Sequence, residues 1–394
     1  MRILYKNCNV IDGKGDELLK DTCILVEDNK FLSIGNVSET DVDEVVDLDG
    51  KFVIPGIFDC HVHIAMPPVA DTVKLINATT TELAVRTINH LNAFLDHGVT
   101  YIRDVGDMKK VGFEMRNLVK QGLVEGPNIS SAGQGVTMTG GHGWMIHREA
   151  DGVDDVTKAT REQIKRGADG IKVFSTGGVL TPGVDVNAYQ FEVEELKAAV
   201  KEAEKVGIWT ATHCHGNQGI RNSVEAGISS IEHCSFLDEE TAELMIKKGT
   251  YSVPTLSASQ LIVENGTAAG IPAEAVKKGV ECRDSAFASA KLAYDKGVKI
   301  ALGTDAGTPF NVHGETIPYE MELLAGVGID NMSIIKSGTS VAAELVRVAA
   351  THGTIEVGKI ADFVVLDANP LDDISNVRKI SYVFQNGKKM RDFT

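Results

Sequence analysis

Ile54-Pro55-Gly56-Ile57-Phe58-Asp59-Cys60-His61-Val62-His63 is the stretch whose reading decides the fold. An apolar run leads into two histidines spaced two apart, and residues two apart on a strand face the same way. Residues 53–63 are therefore read as a strand whose end presents His61 and His63 together, as a grip for one ion. Asp59, two before His61, is expected on that same face but deeper, as support.

Working outward, the texture alternates. β-like runs at 53–63, 99–104, 128–132, 170–175, 209–215, 229–234, 251–255 and 299–305 are separated by stretches rich in Ala, Glu, Lys and Leu, such as 81–96, 193–206 and 272–296. Strands alternating with helices in this way predict an α/β protein built as a (β/α)8 TIM barrel. A doubly wound open sheet would want a Gly-x-Gly-x-x-Gly loop after an early strand, and the sequence has none. Both ends differ from this middle. Apolar runs at 3–5, 23–26, 31–34, 363–366 and 381–384 are broken by turns such as Asp12-Gly13-Lys14-Gly15 and Asn386-Gly387. Neither end has room for its own core. Together residues 1–52 and 356–394 are expected to form one small β-sandwich domain on a barrel of residues 53–355.

The bulk properties agree. A chain of 394 residues with 43% hydrophobic and 24% charged content is ordinary for a globular enzyme. No apolar run approaches the ~20 residues of a membrane span. The first ten residues lack the basic-then-apolar order of a secretory signal, so a cytoplasmic protein is expected. A net charge of −16 disfavours nucleic acid and anionic membrane as partners. The cysteines Cys8, Cys23, Cys60, Cys214, Cys234 and Cys282 include no Cys-x-x-Cys pair, so neither a thiolate cluster nor a redox pair is indicated. Cys60, Cys214 and Cys234 each adjoin a candidate ligand and should point away from it, towards the helices.

The polar residues on the strands carry the chemistry. Lys172 lies in Ile171-Lys172-Val173-Phe174. His213 and His215 lie in Thr212-His213-Cys214-His215-Gly216. His233 follows Ile231-Glu232, and Asp305 lies in Gly303-Thr304-Asp305-Ala306. Each falls near the C-terminal end of its strand, where barrel enzymes keep their active sites. A lone buried histidine is more often a packing residue than a ligand, and His90, His97 and His352 take that bland reading. The set resists it, because burying so many ionisable groups is costly unless they pair or bind metal. Imidazole and carboxylate together suit zinc with an open position for water.

At these residues the chain resembles the amidohydrolase superfamily. The opening motif at 54–63 and the return Gly358-Lys359-Ile360-Ala361-Asp362-Phe363-Val364-Val365-Leu366-Asp367 carry the likeness over essentially the whole length. Arg103-Asp104-Val105-Gly106, Thr139-Gly140-Gly141-His142-Gly143 and the His213-x-His215-Gly216 strand end resemble the imidazolonepropionase-related branch with its prolidases and Xaa-Arg/Lys carboxypeptidases. The resemblance implies two Zn2+ ions. His61, His63 and Asp305 would hold the deeper one, and His213 and His233 the other. Lys172, N-carboxylated, would bridge them. Asp305 would also act as general base, moving a proton from the attacking water to the leaving amine. His215 would polarise the scissile carbonyl, though the residues alone do not decide between His213 and His215 as ligand. His142 and His313 would bind substrate.

The resulting expectation is a zinc peptidase acting on dipeptides or short N-acylated peptides and releasing a C-terminal Arg or Lys, with a small peptide as partner and a homo-oligomeric assembly. A prolidase is the neighbouring reading, but prolidases tend to place tyrosine where His215 stands. A one-metal deaminase or imidazolonepropionase-like hydrolase fits less well. Those enzymes do not use a strand-four lysine and usually carry an acidic residue shortly after the fifth-strand histidine. A non-catalytic metal scaffold is disfavoured by the complete ligand set with Asp305.

Overall fold

The computed structural model describes residues 1–70, 77–106 and 108–394. The stretch expected as one strand at 53–63 is two strands. Gly56 separates Phe52–Pro55 from Ile57–Val62. At Gly56 the chain passes so close to the next strand that an added Cβ would lie 2.1 Å from Thr100 Oγ1, so a side chain is excluded there.

Phe52–Pro55 belongs with the two ends. It pairs parallel with Arg2–Val10 and antiparallel with Phe363–Leu366. Adding Leu19–Glu27, Lys30–Gly35, Glu44–Asp47, Ile380–Gln385 and Lys388–Asp392 gives one eight-stranded sheet. The sheet curls back on itself. Two strands lie between those of Tyr5 and Phe384, and three between those of Phe31 and Phe363. A flat sheet would hold these pairs roughly 14 and 19 Å apart. Their rings are instead 5.1 and 6.0 Å apart, inside an apolar cluster with Val10, Ile24, Val53 and Val365.

The middle of the chain is parallel. Ile57–Val62, Val99–Asp104 and Asn128–Ser131 form one sheet. Gly170–Phe174, Trp209–Cys214, Ser230–His233 and Tyr251–Val253 lie in another. Backbone bonds join the two at both margins. Asp169 N–H donates to Ser131 O at 2.9 Å. On the other side residues 299–306 bridge Ser252 to the first parallel strand, through Ser252 N–H to Lys299 O (2.9 Å), Cys60 N–H to Leu302 O (2.8 Å) and Asp305 N–H to His61 O (2.7 Å). The strand expected at 299–305 is thus a bonded segment with isolated bridges and no regular ladder. Asp305, at φ 64, breaks its extended course. Helices such as Thr80–Asp96, Val193–Lys205 and Ala273–Lys296 alternate with the strands. Among the described residues no helix is long and apolar enough to cross a membrane.

Two expectations about facing fail in the first parallel strand. Its pairing shifts register between Asp59 and Val62, which breaks the two-residue alternation. Asp59 therefore does not share the face of His61. Its carboxylate accepts from Thr304 N–H (3.0 Å) and Thr304 Oγ1–H (2.6 Å). Cys60 packs with Phe58, Tyr101, Trp209 and Ala211, on the side that carries His213. Cys214 packs with Ile220, Val224 and Ile231 on the helix side, as the alternation requires, and Cys234 joins the same cluster although the left-handed backbone at His233 and Cys234 interrupts the alternation there.

Candidate metal centre

His61, His63, Lys172, His213, His215, His233 and Asp305 converge on one cavity. Asp305 Oδ1 lies 3.3 Å from His61 Nε2 and 3.2 Å from His63 Nε2. One ligand atom each from His61, His233 and Asp305 falls within a 4.8 Å set, and so does one each from His213, His215 and His233.

Each imidazole is aimed from behind. His63 Nδ1 lies 2.8 Å from Gly106 O and His61 Nδ1 2.8 Å from Glu232 Oε2. A carbonyl and a carboxylate only accept, so both Nδ1 atoms carry the proton and both Nε2 lone pairs face the cavity. His233 Nδ1 lies 2.6 Å from Thr255 Oγ1, whose own proton goes to Pro254 O, so His233 too presents Nε2. His213 is the reverse. Its Nε2 meets Gly177 O at 3.2 Å, which leaves Nδ1 as the free lone pair. A cluster of lone pairs around one carboxylate, each ring locked by a second partner, is the donor set of a divalent metal. The residues fit the ion. His215 differs, because its Nδ1 partner, Ser235 Oγ at 2.8 Å, is a hydroxyl that either donates or accepts.

The electrostatics suit this set. Burial pushes the Asp305 carboxyl up, but positive charge facing it, carried by the rings of His61, His63 and His233 or by an ion held on their lone pairs, outweighs burial and holds the group well below the usual range. Burial lowers His215 to about 4 and His142 to about 3, so both rings are neutral near pH 7. Burial also lowers the Lys172 ammonium to about 8, which brings the neutral amine within reach. Backbone strain collects here as well. His233 (φ 67), Thr255 (φ 49) and Asp305 (φ 64) are all left-handed, a conformation that costs roughly 1–2 kcal/mol each. The surrounding fold pays this. Glu320, for instance, holds the start of helix Leu256–Asn265 by accepting from Leu256 N–H (2.8 Å) and Ser257 N–H (2.7 Å).

The remaining candidates divide. His142 lines the cavity, its Nδ1 2.7 Å from Thr181 Oγ1. His313 does not line it. The ring lies behind the first strand, stacked on His90 at 3.9 Å with Nε2 3.1 Å from His63 O, so its expected contact with substrate is replaced by support of the His63 backbone. Two residues of the site had no signal in the sequence reading. His147 lines the cavity and stacks on Phe174 at 4.5 Å, in space left by Gly106, Gly135 and Gly143. Glu232 stands behind His61.

The cavity measures about 140 Å³, the liquid volume of roughly five waters. Beyond the ligands its wall is mainly apolar, with Met66, Met108, Met145, Phe174, Leu180 and Ile262, and carries hydroxyls at Thr181, Ser235, Ser259 and Thr308. Among the described lining residues the only carboxylate is Asp305.

Comparison with known proteins gives the same picture. The family model described as Amidohydrolase family matches residues 52–390. An ochratoxinase of Aspergillus niger is 30% identical, over 96% of this chain and 84% of that protein. The crystal structure of a Xaa-Pro dipeptidase with methionine bound in its active site superposes with a TM-score of 0.93 at 33% identity, covering 99% of each chain. A prolidase complexed with N-methylphosphonate-L-proline gives 0.93 at 30% identity over 100% of both chains.

Proposed function

The chain belongs to the amidohydrolase family and is a metal-dependent hydrolase, and from that premise we propose that it cleaves the amide bond of N-acylated amino acids or dipeptides whose C-terminal residue is apolar. The observation that carries this reading is the cavity wall. A guanidinium or ammonium taken out of water needs an acidic partner. Asp305, committed to the metal site, is the only carboxylate among the described lining residues, whereas Met66, Met108, Met145, Phe174 and Ile262 offer contact to an apolar side chain. This lining favours an apolar leaving residue over the expected Arg or Lys. The relative whose name specifies an Xaa-Pro substrate supports an apolar leaving residue.

In this proposal His61, His63 and Asp305 would hold one zinc and His213 and His233 a second, with N-carboxylated Lys172 as a further ligand. When bound, the ions would lower the pKa of a water and polarise an amide carbonyl. Asp305 takes the proton of the attacking water and delivers it to the leaving nitrogen. His215, neutral and backed by Ser235, donates from Nε2 to the carbonyl oxygen as charge builds there. For that donation Ser235 must give its own proton to His215 Nδ1. His142 contacts the substrate from the Thr181 side. The apolar wall excludes water from the leaving group.

We also propose that the parallel strands close as a (β/α)8 barrel over residues 57–355, and that the curled sheet of residues 1–55 and 356–394 is a β-sandwich, the boundary expected at 52/53 moving to Gly56 because Phe52–Pro55 pairs within the sheet. The margin bonds through Asp169 and residues 299–306, and the cross-sheet ring contacts, support both. A panel of N-acetyl amino acids and Xaa-Pro, Xaa-Met, Xaa-Phe and Xaa-Arg dipeptides, assayed on zinc-loaded protein, tests the substrate. Higher kcat/KM for the apolar members is expected. Preference for Xaa-Arg would overturn the apolar reading, and deamination with no amide cleaved would overturn amide hydrolysis itself.

A further inference from the structure

Glu232 and His233 are consecutive, yet both serve the centre. On an alternating strand one of two successive side chains faces away. The left-handed backbone at His233 (φ 67) and Cys234 (φ 50) suspends that rule, so His233 reaches the cavity while Glu232 keeps the face of Ser230. Glu232 is completely buried. Its carboxylate accepts from His61 Nδ1–H at 2.8 Å, from Ser230 Oγ–H, and from Arg103 Nη2–H at 2.9 Å to each oxygen. Arg103 is fixed in turn. It donates to Cys60 O and Ser230 Oγ, and its guanidinium lies 5.0 Å over the Trp209 ring. Trp209 Nε1–H donates to Ser130 Oγ at 2.8 Å.

We infer that Glu232 is a positioning residue for His61. Its carboxylate fixes the proton on Nδ1, keeps Nε2 as the ligating atom, and places a second negative charge behind the ion that His61 and Asp305 would hold. Arg103 and Ser230 keep that carboxylate in line. A carboxylate behind a ligating imidazole raises its basicity, and losing such a partner typically weakens metal binding by about 10–100-fold. This inference rests on the metal-site reading above. A purely structural charge pair that neutralises Arg103 would affect stability and leave metal affinity alone, so the two roles separate by experiment.

The test is zinc titration of the full chain against a chromophoric chelator, with thermal melts of the metal-free protein alongside. Glu232→Gln should weaken the tighter zinc by about 10–100-fold. The paired change Arg103→Met with Glu232→Gln removes the buried cation that the single variant strands, and should show the same loss in a folded protein. Phe363→Leu, in the separate apolar cluster of the curled sheet, should lower the melting temperature and leave zinc affinity within twofold of wild type. Unchanged zinc affinity in both Glu232 variants would overturn the inference alone. A wild-type chain that takes up no zinc would overturn the metal reading and this inference with it.

Discussion

Lys172 offers the most direct test of the centre at the scale of one residue. It is 1% exposed, and burial brings its ammonium down to about 8, so near neutrality a fraction is the amine that carbon dioxide adds to. The product is a carbamate and a released proton, which turns a cation that repels metals into an anion that binds them. Lys172→Ala should lose one of two zinc equivalents and most activity, read by elemental analysis on protein loaded in carbonate buffer. Full activity with a single tightly held ion would replace the two-metal reading. His215 is the other pointed case, since Ser235 leaves its ring free to donate or to ligate. His215→Ala should keep both ions and lose on the order of 10²–10³-fold in kcat, the usual effect of one oxyanion donor. Loss of an ion would make His215 the ligand.

At the scale of elements, the decisive feature is the break at Gly56, where one strand serves the curled sheet and the next carries His61 and His63. Gly56→Ala would drive a methyl into Thr100 and should cost about 1–3 kcal/mol, as overpacked sites do. A lowered denaturation midpoint with unchanged slope would register it, whereas an unchanged midpoint would show that Thr100 can move aside. The same elements explain how much the sequence disclosed. Where the backbone is regular, as in Trp209–Cys214, alternation placed His213 and Cys214 on the correct faces. It misplaced Asp59 and Cys60, because a register shift leaves no trace in residue type. It also passed over Glu232, because the turn at His233 is made by residues that rarely adopt it. The cavity wall was illegible for another reason. Met66, Met108, Met145, Leu180 and Ile262 come from separate loops and a helix, and no local pattern links them.

At the scale of the whole molecule, the seam between the curled sheet and the parallel strands holds a buried acid. Asp362 accepts from Asn386 N–H through Oδ1, while Oδ2 has no hydrogen-bond partner and lies 3.8 Å from His352 Nε2. Its backbone carbonyl receives Gly56 N–H at 2.9 Å. Burial pushes this carboxyl up from 3.8 to about 7. The folded state therefore keeps the proton longer than the unfolded state does. The stability this confers is complete below pH 4 and is lost as the pH climbs through 7. Asp362→Asn, whose amide oxygen can still accept from Asn386, should remove that dependence. The melting-temperature advantage of the variant over wild type should grow from pH 5 to pH 8. An advantage that stays constant across this range would show that the acid is already ionised in the folded protein.

The curled sheet also has a consequence for how the chain is made. Phe52–Pro55 finds one neighbour in Arg2–Val10, but its other neighbour, Phe363–Leu366, is synthesised about 300 residues later. At about 5–20 residues per second, translation leaves that side of the half-built sheet open for roughly 15–60 s. Val53 and Ile54, buried in the finished protein, lie along the open margin. Such a margin is a template for strands of other nascent chains. Yield in a cell should therefore depend on chaperone cover and elongation rate, quite apart from the stability of the finished enzyme.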